Sequence, residues 1–404
     1  INIGTKGDLT EEGELNVSKT NPNITNSNGY EIISGQTEDG KKSKYLSRLP
    51  VAEVESTGDT YYTLQEAINA VTKTGETIKI IRNYTTLTSL EPTTISEDKN
   101  IVLDLNGYTI EQNNENFLVN NGTLKIIDSS IENTGRIITN SNKLIENNGN
   151  LVLNKIIINP NQNYNNIILN NMKMTINNGN LSKEITLSNV TLIENRGTLD
   201  LNDYNIDISQ GGYARDLIGI NNSGTLNITN GTYKLTKYYS YPTFINNTGK
   251  LNINGGTYDI SSDSTLLNNN STEDITIDSI TTTSGGTVIN NTSNKGTLTV
   301  SNSSIAGSIE NNGASTLDIE NSTISSVHSS GSGIVNLKTV IFTPAWIPLG
   351  TYNNGTINIY GATINNSGFI ENNSLMNIYD INLNLTGNTI RNYGTINVYG
   401  GTLV

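Results

Sequence analysis

Cysteine is absent from this 404-residue chain, which excludes a disulfide scaffold and thiolate metal sites and leaves the redox compartment undefined. There is one histidine, His328 in Ser-Val-His-Ser-Ser-Gly. A lone histidine cannot build a zinc site of the usual His-rich kind, and it reads as a surface turn residue. Charge is scarce at 15% and leans acidic, with a net charge of −13 and a pI near 4.6. That balance opposes nucleic-acid binding and docking on an anionic membrane. No apolar run approaches the roughly 20 residues of a membrane helix, so no membrane insertion is expected. No signal peptide opens the chain and no sorting signal closes it, which reads as a mature or excised segment.

What is abundant is Asn, Thr, Ile, Gly and Ser, and it is regularly spaced. Self-similarity is the main signal. Phe117-Leu118-Val119-Asn120-Asn121-Gly122-Thr123-Leu124 recurs as Leu144-Ile145-Glu146-Asn147-Asn148-Gly149 and as Ile220-Asn221-Asn222-Ser223-Gly224-Thr225-Leu226. Further copies are Phe244-Ile245-Asn246-Asn247, Val288-Ile289-Asn290-Asn291, Ile309-Glu310-Asn311-Asn312-Gly313, Phe369-Ile370-Glu371-Asn372 and Ile390-Arg391-Asn392-Tyr393-Gly394. Units roughly 18 to 27 residues apart match one coil of a solenoid, whose turns absorb insertions while its strands stay in register. Within a unit, Thr225-Leu226-Asn227-Ile228 alternates apolar and polar residues, the period of a half-buried strand. Phe117, Phe244 and Phe369 share one slot, taken by Leu elsewhere, so that slot is interior. Asn-Asn-Gly is expected to turn the chain through left-handed backbone, and stacked turns should align the amides into ladders. The fold class is therefore all-β, a parallel β-solenoid.

One helix is expected, at Thr63–Val71, with Thr63 and Glu66 as a capping box. Leu64, Ala67, Ile68 and Val71 form its apolar face, and Gly75 is its expected stop. Laid across a solenoid end, it would cover open core and strand edges. Three ranges follow: 1–49, a coil-like segment with a polar linker at Gln36–Lys44; 50–110, a capped start; and 111–404, the coils. The chain closes in mid-coil at Gly400-Gly401-Thr402-Leu403-Val404, and Ile1-Asn2-Ile3-Gly4 could continue that strand. This is read as a segment of a longer solenoid or a subunit stacked head to tail.

The run Val51-Ala52-Glu53-Val54, Tyr62–Ala70, Ile78–Ile81 and Ile101–Ile110 resembles the capped start of pectate-lyase-like right-handed β-helices. It is most similar to those of repeat-rich surface proteins from low-GC Gram-positive bacteria. The resemblance spans about residues 50 to 404. It implies a single-stranded, right-handed β-helix. Lyases of this group use an Arg base with a carboxylate cage for Ca²⁺, and hydrolases use close aspartates with a His and an Arg-x-Lys element. This chain has no Asp-Asp, Asn-Thr-Asp, Gly-His-Gly or Arg-x-Lys, and its six arginines (Arg48, Arg82, Arg136, Arg196, Arg215, Arg391) are scattered. No catalytic residue, metal or cofactor is assigned, and Glu97-Asp98 and Glu273-Asp274 read as solvated charge.

Two features stand out as contact sites. Tyr360, Tyr379 and Tyr399 each follow an inward Ile or Val in successive coils, so they should point outward and stack into a ladder. Such a ladder serves either to brace neighbouring coils or as a platform for sugar rings or a subunit. The second feature is a pair of excursions, Tyr238-Tyr239-Ser240-Tyr241-Pro242 and Phe342-Thr343-Pro344-Ala345-Trp346-Ile347-Pro348. They either bind, as loops on rigid scaffolds do, or fold back over the core. The function expected is a non-catalytic structural or adhesive rod of an extracellular bacterial surface or filament protein. Its partners would be itself, neighbouring domains or glycans. The alternatives are a polysaccharide lyase or hydrolase and a phage tail-fibre segment.

Overall fold

In a computed structural model of the chain, Ile218–Asn222, Thr225–Thr229 and Thr232–Thr236 form three short strands around one coil. The next coil repeats them as Thr243–Asn247, Lys250–Asn254 and Thr257–Ile260. Ile220 lies against Ile245, Leu226 against Leu251 and Tyr233 against Tyr258, all in parallel register. We call the three resulting faces sheets A, B and C. The structure describes residues 13–15, 30–36, 42–85, 92–112, 116–139, 143–160, 167–211, 215–237, 241–283, 286–342, 354–364, 369–383, 389–400 and 402–403. Together they show an all-β parallel solenoid of about 11 turns with one short helix.

Strand alternation builds the core. In Thr225–Thr229, Leu226 and Ile228 are buried; in Thr232–Thr236, Tyr233 and Leu235 are buried. Phe117 and Phe244 are interior, as their shared slot predicts, while the side chain of Phe369 lies outside the described residues. Tyr233 and Tyr258 add an interior stack, 4.9 Å between centroids, with Phe244 edge-on to Tyr233 at 5.6 Å. The Tyr233 hydroxyl donates to the Asn230 carbonyl at 2.9 Å, which satisfies its one polar atom. Burial, then the negative charge of Asp203, holds that phenol above its ordinary pKa.

The amide ladder is present at the corner from sheet A to sheet B. One Asn of each coil points inward, the first of its pair at Asn120, Asn147, Asn170 and Asn311 and the second at Asn222, Asn247 and Asn291, and its Nδ2 donates to the Oδ1 of the next coil's Asn. Asn120, Asn147, Asn170, Asn195, Asn222, Asn247, Asn269, Asn291 and Asn311 form one chain with bonds of 2.7–2.9 Å. All are buried. The ladder begins where Ile95 stands opposite Asn120, leaving the Asn120 Oδ1 unpartnered, and it is interrupted where Ser329 faces Asn311. Outer ladders donate in the opposite sense; some end on carboxylates, as in Asn252→Asn227→Asp200 and Asn358→Asn336→Asp318, and others on the Asn121 amide or the Thr243 hydroxyl. A carboxylate accepts without bringing a competing donor, so it suits the last place in such a chain.

One expectation fails at this corner. The Asn-Asn-Gly turn uses no left-handed residue; left-handed backbone lies at the sheet B to sheet C corner, at Asn106, Asn178, Asp203, Asn230, Asn302 and Asn321. Glycine at the A–B corner answers to crowding instead. A Cβ on Gly224 would fall on the Gly197 carbonyl oxygen, which accepts a 2.8 Å bond from the Thr225 amide. Stacked backbones approach too closely at Gly224 for a Cβ, although Met172 and Ser374 occupy the equivalent slot of other coils.

The start of the solenoid is covered. Helix α1, Leu64–Ala70, has the Thr63–Glu66 capping box, and Leu64, Ala67, Ile68 and Val71 are buried. It ends at Val71, which turns to extended backbone, so Gly75 is not its stop; Gly75 instead takes a left-handed turn leading into the strand Glu76–Ile80. The strand Ala52–Val54 runs antiparallel to Ile78–Ile80 and closes that edge of sheet B. Ahead of the solenoid, Gly13–Leu15, Tyr30–Gln36 and Lys42–Arg48 form a separate antiparallel sheet. Gln36 and Lys42 of the polar stretch pair in that sheet. No described helix is long and apolar enough to cross a membrane.

Candidate functional site

Seven aromatic residues stand out in the sequence as contact candidates. Tyr238, Tyr239 and Trp346 lie outside the described residues. Tyr360, Tyr379 and Tyr399 do point outward along sheet B and stack, with centroids 4.5 and 4.9 Å apart and rings within 11° of parallel. Desolvation, then the neighbouring Tyr360 ring, raises the Tyr379 pKa. Tyr241 stands apart from this strip, at the corner from sheet C to sheet A, with 79% of its surface exposed.

That corner changes length along the rod. The connection is 237–242 in the coil carrying Tyr241, then 261–264, 283–286, 306–307 and finally Ser325 alone. The surface therefore steps inward coil by coil, leaving a groove of about 630 Å³. Its floor is small: Gly286, Ala306, Gly307 and Ser325. Tyr241 and Asp263 line it beside the longer connections, and His328 lines it where the connection is shortest.

Local contacts hold these side chains in place. Lys237 pairs with Asp263 and lies over the Tyr241 ring, 4.9 Å from its centroid. Glu310 sits opposite His328 in sheet A; its Oε1 accepts from the Thr287 hydroxyl at 2.8 Å and its Oε2 from the Asn312 amide at 3.0 Å. Partial burial lowers the His328 pKa against the opposing pull of Glu310. The Ser264 hydroxyl is buried in the groove wall and has no partner in the protein.

His328 is thus not a surface turn residue. With its corner reduced to Ser325, the chain re-enters sheet A early, and His328 falls within the strand Thr323–Ser329. No motif in the sequence singles out Asp263 or Glu310. A signal was available, because the spacing of the inner asparagines falls from 25 to 22, 22 and 20 residues along this stretch. Elsewhere, Asp98 accepts from the Ser96 hydroxyl at 2.6 Å, Asp274 from the Thr297 amide at 2.9 Å, and Arg391 lies 4.0 Å from Glu371. These are turn and surface contacts.

Chemically, the groove combines an aromatic face, the Asp263 carboxylate, hydroxyls and a His328 imidazole held toward its neutral form. No protein-family model, curated protein or solved structure matches this chain, so the resemblance to pectate-lyase-like β-helices rests on architecture alone.

Proposed function

We propose that the chain is a rigid, non-catalytic rod of an extracellular bacterial surface or filament protein, with structural and adhesive roles. The observation that carries this reading is the inner amide ladder, unbroken from Asn120 to Asn311. Each coil bonds to the coils beside it, so stiffness along the axis comes from the same contact repeated. At an inter-strand spacing of about 4.8 Å, some 11 turns make a rod of roughly 50 Å. The Tyr360–Tyr379–Tyr399 strip gives the rod a flat outer contact for a glycan or a second copy.

Negative-stain microscopy of the purified chain, paired with viscometry on pectin and other acidic glycans, tests this reading. The expected result is straight rods, single or joined end to end, with viscosity unchanged. Falling viscosity would overturn the non-catalytic claim, and compact particles would overturn the rod.

A further inference from the structure

We infer that the groove at the sheet C to sheet A corner is a binding site for a neutral, hydroxyl-rich oligosaccharide lying along the rod axis. The inference is independent of whether the rod self-associates.

The shape comes from the shortening corners. Residues from four successive connections, Ser262, Asp263 and Ser264, then Gly286, then Ala306 and Gly307, then Ser325, line the groove. At about 4.8 Å per coil they give an open run of roughly 14 Å along the axis. That length suits a short linear chain of rings rather than a single small molecule.

The lining selects the class of ligand. Tyr241 presents an exposed ring whose orientation is held by Lys237, the arrangement that packs against the C–H face of a pyranose. Asp263 stands beside it as an acceptor for sugar hydroxyls. Ser308 and Ser325 line the floor; their hydroxyls donate to the Gly286 and Ala306 carbonyls, at 3.2 and 2.8 Å, and keep oxygen lone pairs to accept from sugar hydroxyls. The buried, unpartnered Ser264 hydroxyl is a polar group of the kind that a ligand or bridging water normally satisfies.

Other ligands fit less well. An extended peptide that binds by strand addition needs a free strand edge. Here the corner amides are already taken: Thr283 donates to the Tyr258 carbonyl at 3.1 Å, Ala306 to the Thr282 hydroxyl at 2.8 Å and Ser308 to the Gly286 carbonyl at 2.6 Å. An acidic glycan or a phosphate needs free cations. The ammonium of Lys237 is tied to Asp263, and burial disfavours charge on His328.

The test is calorimetric titration of the full chain with neutral hexasaccharides (β-1,4-glucan, β-1,4-mannan and α-1,4-glucan) and with hexagalacturonate as the acidic control. At least one neutral probe should bind, and hexagalacturonate should not. Tyr241→Ala should weaken binding about tenfold, the loss expected for one stacked aromatic. Ala306→Trp, which fills the floor from an exposed position, should abolish it. Lys125→Ala, exposed on sheet B, should leave it unchanged. Far-ultraviolet dichroism and melting would confirm that each variant is folded. Failure of every neutral probe, preference for hexagalacturonate, or binding that survives both groove variants would overturn the assignment. Binding lost in Tyr360→Ala but kept in Tyr241→Ala would also overturn it, and would move the glycan site to the tyrosine strip.

Discussion

The corner between sheets A and B and the corner between sheets C and A solve opposite problems. At the first, nine successive coils from Asn120 to Asn311 repeat the same inward amide, and the backbones approach so closely that Gly149, Gly224 and Gly249 have no room for a Cβ. At the second, connection length varies from 237–242 down to Ser325 alone, and the surface steps back into a groove. A solenoid can vary one corner freely because another holds the register. Stability and recognition are thereby assigned to different corners of the same coil.

The largest effect should come from breaking the ladder at its centre. Asn222 accepts from Asn195 and donates to Asn247 and to the Lys250 carbonyl, all at 2.7–2.9 Å. Asn222→Ala strands a buried donor and a buried acceptor, and should cost about 4 kcal/mol, measured as the shift in urea midpoint. Gly224→Ala should cost about 3 kcal/mol, because its Cβ must displace the Gly197 carbonyl.

A smaller effect tests the third corner, between sheets B and C, where the insertion 128–135 is organised by Asp128. Its carboxylate accepts from the amides of Gly107, Ser130 and Gly135 and from the Ser130 hydroxyl. Burial opposes its ionisation, but the hydrogen bonds from Gly135, Ser130 and Gly107 outweigh it and lower the pKa. A depressed carboxylate pKa adds stability that is complete above the unfolded value near 3.9 and is lost as pH falls through the folded value. Asp128→Asn should therefore lower stability by about 1–2 kcal/mol at neutral pH and flatten the acid limb of a stability–pH profile.

Smaller still, and opposite in sign, is Thr339→Asn. Thr339 is a β-branched residue held at φ 54° where other coils place Asn. The exchange should gain about 1 kcal/mol. Smallest is Ala306→Trp at the variable corner, which should shift the urea midpoint by no more than about 0.5 kcal/mol. A destabilisation there as large as that of Gly224→Ala would erase the contrast between corners.

Much of the fold was legible because its determinants are local and repeated. Leu226 and Ile228 alternate in sequence as they do in burial, Thr63 and Glu66 cap the one helix as spaced, and the asparagines fall into line once the coils are stacked. What escaped depended on comparing coils. Asn-Gly occurs at two corners, and nothing local says that Asn230 is left-handed whereas Asn121 is not. Tyr258 and Tyr379 sit in similar strands, yet one is interior and the other outward, because their places within the alternation differ. The groove depends on differences in connection length between successive coils, so no single motif announces it. His328 was misplaced for the same reason.

Hydrogen–deuterium exchange of the full chain, read by mass spectrometry, tests the division between corners most directly. The Thr225 and Lys250 amides each donate 2.8 Å bonds to the preceding coil's glycine. Peptides covering 222–226 and 247–251 should therefore be among the slowest to exchange. Those covering 261–264 and 306–307 should exchange markedly faster. Equal protection at the two corners, or faster exchange beside the asparagine ladder, would contradict the account.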